Sequence, residues 1–351
     1  IGAGPASFIN AVLRRVSERT PEEWYELIVE EAKDDTERMA LLASHPGWIV
    51  RSMRQALVAH GRPASEIEQL LEADNLAPVV NLVALPGLGS PDEAREQGAV
   101  DGELVEGSAL YASGDLARLE SVREGTVRAQ DAGSQLVARA LAAAPLDGTD
   151  TAWLDLCAGP GGKAALLGAR AAQCGARLVA NEVAPHRARL VEASVRALPP
   201  DAVEVRCGDG RLLGRNEPGR YDRVLVDAPC SGLGSLRRRP EARWRRSPRD
   251  VAELASLQRE LLAGALTAVR PGGVVAYATC SPHVLETEYA VRDAIKKLRG
   301  DGVRVEVLRA GDIAGGIAPR PLAGADREML QLWPHLEGTD AMFCALLRRT
   351  I

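Results

Sequence analysis

The second half of this 351-residue sequence predicts an α/β fold: a doubly wound, mostly parallel sheet with helices on both faces. From residue 151 onward, short apolar runs of strand length alternate regularly with longer segments of helical periodicity. Cysteines, glycines and acidic residues gather where several of these runs end. Such alternation favours parallel strands joined by crossover helices, and in these sheets ligands bind at the carboxyl ends of the strands.

The elements of this half follow from the pattern in order. Strands are predicted at 152–156, 177–181, 203–205, 222–226, 273–279, 303–308, 329–332 and 342–347. Helices are predicted between them, at about 163–172, 184–197, 251–269 and 284–298. We assign residues 148–351 to this domain.

Residues 1–73 predict an all-helical domain. An apolar stripe follows Ser7, and Thr20-Pro21-Glu22-Glu23 is typical of the start of a second, acidic helix extending to about residue 43. Further helices are predicted at 46–60 and 65–73. Residues 74–147 predict a small α/β connector, with apolar runs at 79–83 and 103–105 and a helix over 132–143.

Composition excludes several classes of protein. Apolar residues make up 46% and charged residues 26% of the chain, which excludes wholesale disorder. The apolar runs are too short for a membrane helix, and no secretion signal is visible, so we expect a cytoplasmic protein. Because the sequence starts at Ile1 instead of methionine, we expect its N-terminus to be incomplete. The net charge of −5, taken in bulk, counts against a nucleic-acid partner.

The cysteines indicate free thiols rather than a metal centre. Six cysteines are present, none in a Cys-x-x-Cys spacing and none near grouped histidines, so no metal is expected. The segment Ile1-Gly2-Ala3-Gly4 resembles a dinucleotide fingerprint, but no strand precedes it and its third glycine is missing. We therefore reject it as a cofactor loop.

The first three strands of the α/β half end in residues suited to binding a small molecule. Residues 155–163 form a glycine-rich turn before a helix, where free backbone amides favour a carboxylate or phosphate. Glu182, at the end of the second strand, can accept both hydroxyls of a ribose. Asp209, after the third strand, suits an adenine amino group. A ligand-free tight turn, a surface glutamate and a simple loop turn are the alternatives for these three features.

Two cysteines follow adjacent strands of the predicted sheet. The fourth strand ends in Asp227-Ala228-Pro229-Cys230-Ser231-Gly232, and the fifth in Thr279-Cys280-Ser281. By spacing alone, each cysteine fits a packed thiol slightly better than a reactive one. Together with Asp227 at one crevice, they indicate nucleophilic chemistry.

These motifs carry a family resemblance. Asp-x-Cys-Ala-x-Pro-Gly-Gly-Lys at 155–163, Asp-Ala-Pro-Cys-Ser-Gly at 227–232 and Thr-Cys-Ser at 279–281 resemble the RNA cytosine-5 methyltransferases of the Sun/Fmu type. Residues 7–14, 44–48 and 130–135 resemble that family's NusB-like helical end, its His-Pro-x-Trp segment and the stretch before its catalytic domain. Residues 285–288 differ from its usual Glu-Glu-Asn-Glu.

The resemblance implies a class I, Rossmann-like methyltransferase domain behind a NusB-like remnant and a connector. S-adenosyl-L-methionine is then the expected cofactor, and carbon 5 of a cytosine in 16S ribosomal RNA the methyl acceptor. Cys280 is implied as the nucleophile, Cys230 as the product-release thiol and Asp227 as the residue that holds the base, with Cys230 as attacker the rival assignment. The implied cofactor-binding residues are Cys157, Ala158, Gly159, Pro160, Gly161, Gly162, Lys163, Glu182, Asp209, Asp227 and Arg187, the last of which either braces Glu182 or is a surface charge.

The expected partner is RNA, as naked 16S ribosomal RNA or an assembly intermediate, bound by a monomer. Seven arginines against one acid in residues 237–249 follow directly on the Asp227 motif, where they are predicted to attract phosphates. Two alternatives stay open. One is a cytosine-5 methyltransferase acting on transfer RNA, and the other a catalytically idle RNA-binding assembly factor.

Overall fold

The computed structural model describes residues 2–351, and helices form its N-terminal part. Helices α4 (Gly47–Ala59) and α5 (Ile67–Asn75) pack with Leu233, Leu236 and Trp333 of the larger domain in one apolar cluster. A buried pair, His45 and Asp74, joins the start of α4 to α5. The helices are α1 Ala3–Val16, α2 Pro21–Glu30, α3 Asp35–Leu42, α4 Gly47–Ala59 and α5 Ile67–Asn75.

Two features of this part differ from expectation. The predicted acidic helix is interrupted, because the Asp34 side chain accepts the Glu37 amide at 2.8 Å and starts a new helix. The apolar stripe of α1 is exposed, with Phe8 71% accessible, so the stripe does not pack on the rest of the chain. The rejected dinucleotide segment lies within α1 from residue 3 onward, and Ile1 lies outside the described residues.

The middle of the chain forms a four-stranded antiparallel sheet in the order β2-β3-β1-β4. The expected strand at 103–105 is absent, because these residues form a loop that buries Leu104 and Val105 in the core of the larger domain. The elements are β1 Val80–Ala84, α6 Asp92–Glu96, β2 Val100–Asp101, β3 Ser108–Tyr111, α7 Glu120–Glu124, β4 Val127–Ala129 and α8 Ala132–Ala143.

Helix α8 has the bounds that the sequence predicts, but it packs on the larger sheet. Its Leu136, Val137 and Leu141 belong to the same buried cluster as Trp153 and Leu225. We therefore propose that the connector ends near residue 129, and that α8 is the first helix of the α/β domain.

The α/β half contains every strand that its pattern predicts. Strands and helices alternate as β5 Ala152–Asp155, α9 Gly162–Gln173, β6 Arg177–Glu182, α10 Pro185–Val195, β7 Val203–Cys207, α11 Leu213–Asn216, β8 Tyr221–Asp227, α12 Ala242–Arg245, α13 Pro248–Ala268, β9 Val269–Thr279, α14 Glu288–Gly300, β10 Val305–Leu308, α15 Ala310–Ile317, β11 Leu330–Gln331, α16 Pro334–Glu337 and β12 Phe343–Arg349.

The topology of the large sheet confirms the predicted fold class. Its order is β10-β12-β9-β8-β5-β6-β7, with β11 beside β12. The strands from β5 to β9 run parallel, whereas β12 is antiparallel to its neighbours. The chain winds outward from β5 and returns at β8, so a crevice opens at the carboxyl ends of these two strands. Over residues 2–351, no helix is long and apolar enough to cross a membrane.

Candidate active site

The two motif cysteines meet at the carboxyl edge of the large sheet. The parallel register of β8 and β9 pairs Asp227 with Ala278, so the loops that follow these strands emerge side by side. The Gly234 amide donates to the Cys280 carbonyl at 2.9 Å, and a Cβ on Gly234 would lie 2.4 Å from the Ala341 carbonyl oxygen. This close approach brings the Cys230 and Cys280 Sγ atoms to 3.4 Å from each other.

The environment makes the two thiols unequal. The hydrogen bond from Cys230 holds the pKa of Cys280 below its ordinary value, although burial and the Asp227 and Asp340 carboxylates act to raise it. The same bond, together with burial, raises the pKa of Cys230 well above its ordinary value. Since the thiolate is the nucleophilic form of cysteine, these directions favour Cys280 over Cys230 as the candidate nucleophile.

Asp227 and Lys163 form an ion pair beside these thiols. Lys163 Nζ lies 2.8 Å from Asp227 Oδ2, and the Lys163 side chain is 10% exposed. Burial by itself lowers the pKa of Lys163, but Asp227 together with Cys280 and Asp155 outweighs burial, so the net shift is upward. The charged ammonium also helps to lower the pKa of Cys280. The structure therefore places Lys163 with the reactive groups rather than with the backbone turn of residues 157–162.

Residues 157–162 form a cradle between β5 and α9. Gly161 has a φ of +111°, and a Cβ there would lie 2.4 Å from the Ser194 Cβ atom. Both the left-handed backbone and the close helix packing therefore require glycine. Ser194 Oγ fixes the turn by donating to the Pro160 carbonyl at 2.9 Å. The turn leaves the first amides of α9 facing the crevice side of the sheet, where they suit an anionic group.

Glu182 is buried at the end of β6, and hydrogen bonds hold its carboxylate in one orientation. Its carboxylate accepts the amides of Gly159 and Ala184, each at 3.0 Å. Arg187 Nη1 lies 3.6 Å from Glu182 Oε2, and its guanidinium also donates to the Gly159 carbonyl. The geometry is that of a bracing arginine rather than an isolated surface charge.

Asp209 is engaged with its own loop. Its carboxylate accepts from the Arg211 guanidinium at 2.6 Å and from the Arg211 amide at 3.0 Å. These hydrogen bonds lower the pKa of Asp209. The loop-turn alternative is thus visible in the structure, and an adenine would have to share the carboxylate with Arg211.

Asp155 is a site residue that sequence reasoning left out, although it begins the first motif. It is 1% exposed, and neither carboxylate oxygen has a hydrogen-bond partner. Burial, reinforced by the nearby Asp227, raises the pKa of Asp155 to about 8. Its position on β5, paired with Ala180 and Leu225, places it under the cradle.

We predict that Asp155→Asn changes how stability depends on pH. The folded protein keeps a proton on Asp155 that the unfolded chain releases above about pH 4, so this contribution to stability is lost as pH rises toward 8. In thermal melts of the unliganded protein, the free energy of unfolding of Asp155→Asn relative to wild type should increase between pH 5 and 8.5, by an amount on the order of a few kcal/mol. The exposed Asp35→Asn is the matched control. A constant difference between Asp155→Asn and wild type across that range would contradict the prediction.

Part of the predicted arginine-rich RNA contact is structural. Arg237 Nη2 lies 3.5 Å from Asp131 and 3.6 Å from Asp340, and the side chain is 7% exposed. Arg243 is buried and donates to the side chain of Asn75 at 2.8 Å, which ties the segment to α5. Charge counting could not separate these residues from the accessible ones, which are Arg238, Arg239, Arg245, Arg246 and Arg249, around a Trp244 that is 64% exposed.

The remaining cysteines are less suited to nucleophilic chemistry. Burial raises the pKa of Cys157 well above its ordinary value and that of Cys344 to about 12. Cys174 and Cys207 are exposed free thiols. Within residues 2–351, no three histidine, cysteine or acidic side chains converge as a metal site would require.

Comparison with known proteins gives the family of this chain. A family model described as 16S rRNA methyltransferase RsmB/F matches residues 140–348. A putative methyltransferase of Mycobacterium tuberculosis strain H37Rv is 48% identical over 347 residues, which cover 98% of this chain and 72% of the relative. The probable ribosomal RNA small subunit methyltransferase B of Bacillus subtilis is 28% identical over 354 residues, covering 99% and 74% of the two chains.

Solved structures share the fold. The crystal structure of PH0851 matches with a TM-score of 0.78 at 23% identity, over 96% of this chain and 71% of that one. NSun6 from Pyrococcus horikoshii, crystallised with SFG, matches with a TM-score of 0.67 at 16% identity, over 86% of this chain and 98% of that one. The family resemblance read from the cysteine motifs is thereby confirmed, and the chain belongs to the RsmB/F family of 16S rRNA methyltransferases.

Proposed function

We propose that this protein transfers a methyl group from S-adenosylmethionine to carbon 5 of a cytosine in 16S ribosomal RNA, through a covalent bond between Cys280 and carbon 6. The observation that carries the proposal is the Cys230–Cys280 contact of 3.4 Å at the same crevice as the Lys163–Asp227 ion pair. Four motif residues from separate parts of the chain converge there. A catalytically idle scaffold would have no chemical need for this convergence.

The residues at β5 and β6 fit S-adenosylmethionine. The methyl donor carries a sulfonium and an ammonium charge, which would favour release of the proton that Asp155 holds in the free protein. The cradle of residues 157–162 would hold its methionine carboxylate, and Glu182 its ribose. When bound, the donor supplies an electrophilic methyl group. NSun6, which shares this fold, was crystallised with the ligand SFG. That complex supports the proposal of a donor site here.

Cytosine itself explains why a thiolate is needed. Carbon 5 is a poor nucleophile until a group adds to carbon 6, which leaves an enamine whose double bond joins carbons 4 and 5. Cys280, whose pKa is lowered, supplies that group. Asp227 would hold N3 and the exocyclic amine, and protonation at N3 offsets the charge that the thiolate brings. Lys163, at 2.8 Å from Asp227, would fix the orientation of its carboxylate.

An RNA surface would lie beside this crevice. The accessible part of segment 237–249 combines arginines with the exposed ring of Trp244, a pairing that suits phosphates and an unstacked base. The segment begins directly after the Cys230 loop, and the Arg246 Nε atom donates to the Ser231 carbonyl at 3.1 Å. A target cytosine must leave its stack to reach Cys280, so a single-stranded or loop region of the RNA is the expected substrate.

We predict that replacing Arg239 and Arg245 together by alanine weakens RNA binding without lowering the melting temperature. Neither side chain makes a hydrogen bond among the described residues, so folding should not depend on them. Each arginine–phosphate interaction that is removed should make the slope of log K against log salt concentration shallower by about 0.7. The control is the double alanine variant of Arg170 and Arg299, exposed residues near the C-terminal ends of α9 and α14 at the opposite edge of the sheet. Equal salt slopes for all three proteins would refute the RNA surface.

The proposed function is tested by methyl transfer from labelled S-adenosylmethionine to naked 16S ribosomal RNA, to assembly intermediates and to transfer RNA, followed by bisulfite sequencing. We expect 5-methylcytosine at one position of 16S ribosomal RNA. Transfer RNA as the only methylated species would establish the alternative substrate. If the protein binds RNA but calorimetry detects no binding of the methyl donor, the protein is an assembly factor and the proposal is wrong.

A further inference from the structure

A buried carboxylate connects the two cysteine loops. Glu286, in the turn before α14, is 0% exposed and accepts four hydrogen bonds. They come from the Ser231 amide at 2.7 Å, the Ser231 hydroxyl at 2.5 Å, the Ser281 hydroxyl at 2.6 Å and Gln258 Nε2 at 3.1 Å. None of these donors is a charged side chain, so the carboxylate is held by hydrogen bonds and not by an ion pair.

The donors are placed around the reactive thiols. Ser231 directly follows Cys230, and Ser281 directly follows Cys280. The two serine hydroxyl oxygens are themselves 3.1 Å apart. One side chain is therefore bonded to the residue after each cysteine.

The other side of Cys230 is held by the same cluster. Gln258 Nε2, which donates to Glu286, also donates to the Pro229 carbonyl at 2.9 Å. The Tyr277 hydroxyl lies 3.2 Å from Gln258 Oε1 and 2.8 Å from the Glu286 carbonyl oxygen. Cys230 thus sits between two residues that are fixed by Glu286 and its partner Gln258.

The cost of burying a charge makes this arrangement cooperative. A carboxylate without water is tolerated only when its lone pairs are satisfied, so movement of either loop leaves a buried charge short of donors. The backbone hydrogen bond from Gly234 to Cys280 joins the two loops at one point, and Glu286 adds a second link at the residue after each cysteine.

We propose that Glu286 is a positioning residue that holds the Cys230 and Cys280 loops in register. The proposal rests on the proposed function for its catalytic consequence. In that function Cys280 attacks the cytosine and Cys230 acts in its release, so both thiols must reach the same base. The register itself is a property of the free protein. It can therefore be measured whether or not methyl transfer is found.

The register is tested by oxidation with diamide. One thiolate adds to the N=N bond of diamide and the second thiol displaces it, so a Cys230–Cys280 disulfide forms while diamide takes up two electrons and two protons as the hydrazine. Glu286→Gln keeps the size of the side chain but replaces one acceptor oxygen by a donor. We expect this variant to form the disulfide at least about tenfold more slowly than wild type, because misplacement of reacting groups by an ångström costs that much or more.

The matched control is Glu337→Gln. Glu337 is also a buried carboxylate, 6% exposed, and it accepts the amides of Trp333 and Ala323 outside the site. Its substitution should lower the melting temperature without slowing disulfide formation. If Glu286→Gln fails to fold, Ser281→Ala removes one arm of the cluster and is expected to slow oxidation in a folded protein. Wild-type oxidation rates in the folded variant used would overturn the proposal.

A second readout separates this proposal from the proposed function. In a methyl-transfer assay, Glu286→Gln should lower kcat at least about tenfold with little change in KM for either substrate. If Glu286→Gln oxidises more slowly but the wild type methylates no RNA, the positioning role of Glu286 is established and the proposed function is wrong. Normal oxidation with reduced kcat would assign Glu286 to another role and overturn the positioning proposal.

Discussion

Methyl transfer should fall by at least about three orders of magnitude when Cys280 is replaced by alanine, since the bond to carbon 6 is proposed to form through this thiol. Cys280 lies next to Lys163 and accepts the hydrogen bond of Cys230, and both lower its pKa. The cradle of residues 157–162 and Glu182 make none of their contacts through this thiol, so binding of the methyl donor should survive.

Two measurements check this expectation. Transfer of labelled methyl groups to 16S ribosomal RNA gives the loss of activity, and calorimetry with S-adenosylmethionine shows whether the donor site is intact. Cys174→Ala, on an exposed thiol outside the crevice, is the control for the loss of any cysteine. Full activity of Cys280→Ala, together with an inactive Cys230→Ala, would make Cys230 the nucleophile.

The sequence allows the large sheet to be predicted because its central strands β5, β8, β9 and β12 are buried on both faces and are therefore apolar along most of their length. Every apolar run assigned to a strand after residue 151 lies in β5 to β12, with shifts of a few residues at the ends. The connector was less predictable. Leu104 and Val105 are apolar because a loop inserts them into the neighbouring core, and a short run cannot show whether it pairs or inserts.

The candidate site could be predicted where the chemistry requires particular residue types in a short motif. It could not be predicted where a side chain's role depends on partners from distant parts of the chain. The cysteine motifs carry their own signal, whereas Glu286 stands in a stretch that differs from the family pattern and shows its role only through the serines it bonds. Arg237 and Arg243 look like the accessible arginines in sequence. Their partners Asp131 and Asn75 lie more than a hundred residues away along the chain, so only the folded structure separates them.

The remaining large effect concerns Cys230, whose loss should trap the protein on its RNA. Two of the influences that raise the pKa of Cys230 come from Cys280: its hydrogen bond and its charge. Once the Cys280 sulfur is bonded to carbon 6, it is a neutral thioether that no longer carries that charge. The pKa of Cys230 should then fall, which allows its thiolate to form and to act as a base at the stage where the carbon 5 proton must leave and the Cys280 bond must break.

Cys230→Ala lacks this base, so the reaction that it catalyses should stop after methyl transfer. We expect turnover to drop by about 10²- to 10⁴-fold, the usual contribution of a general base, while a methyl-labelled protein–RNA adduct persists on denaturing gels. The double variant Cys230→Ala with Cys280→Ala should form no adduct, because the bond to carbon 6 needs Cys280. If Cys230→Ala turns over normally and leaves no adduct, proton removal belongs to another group, and the 3.4 Å contact serves only to lower the pKa of Cys280.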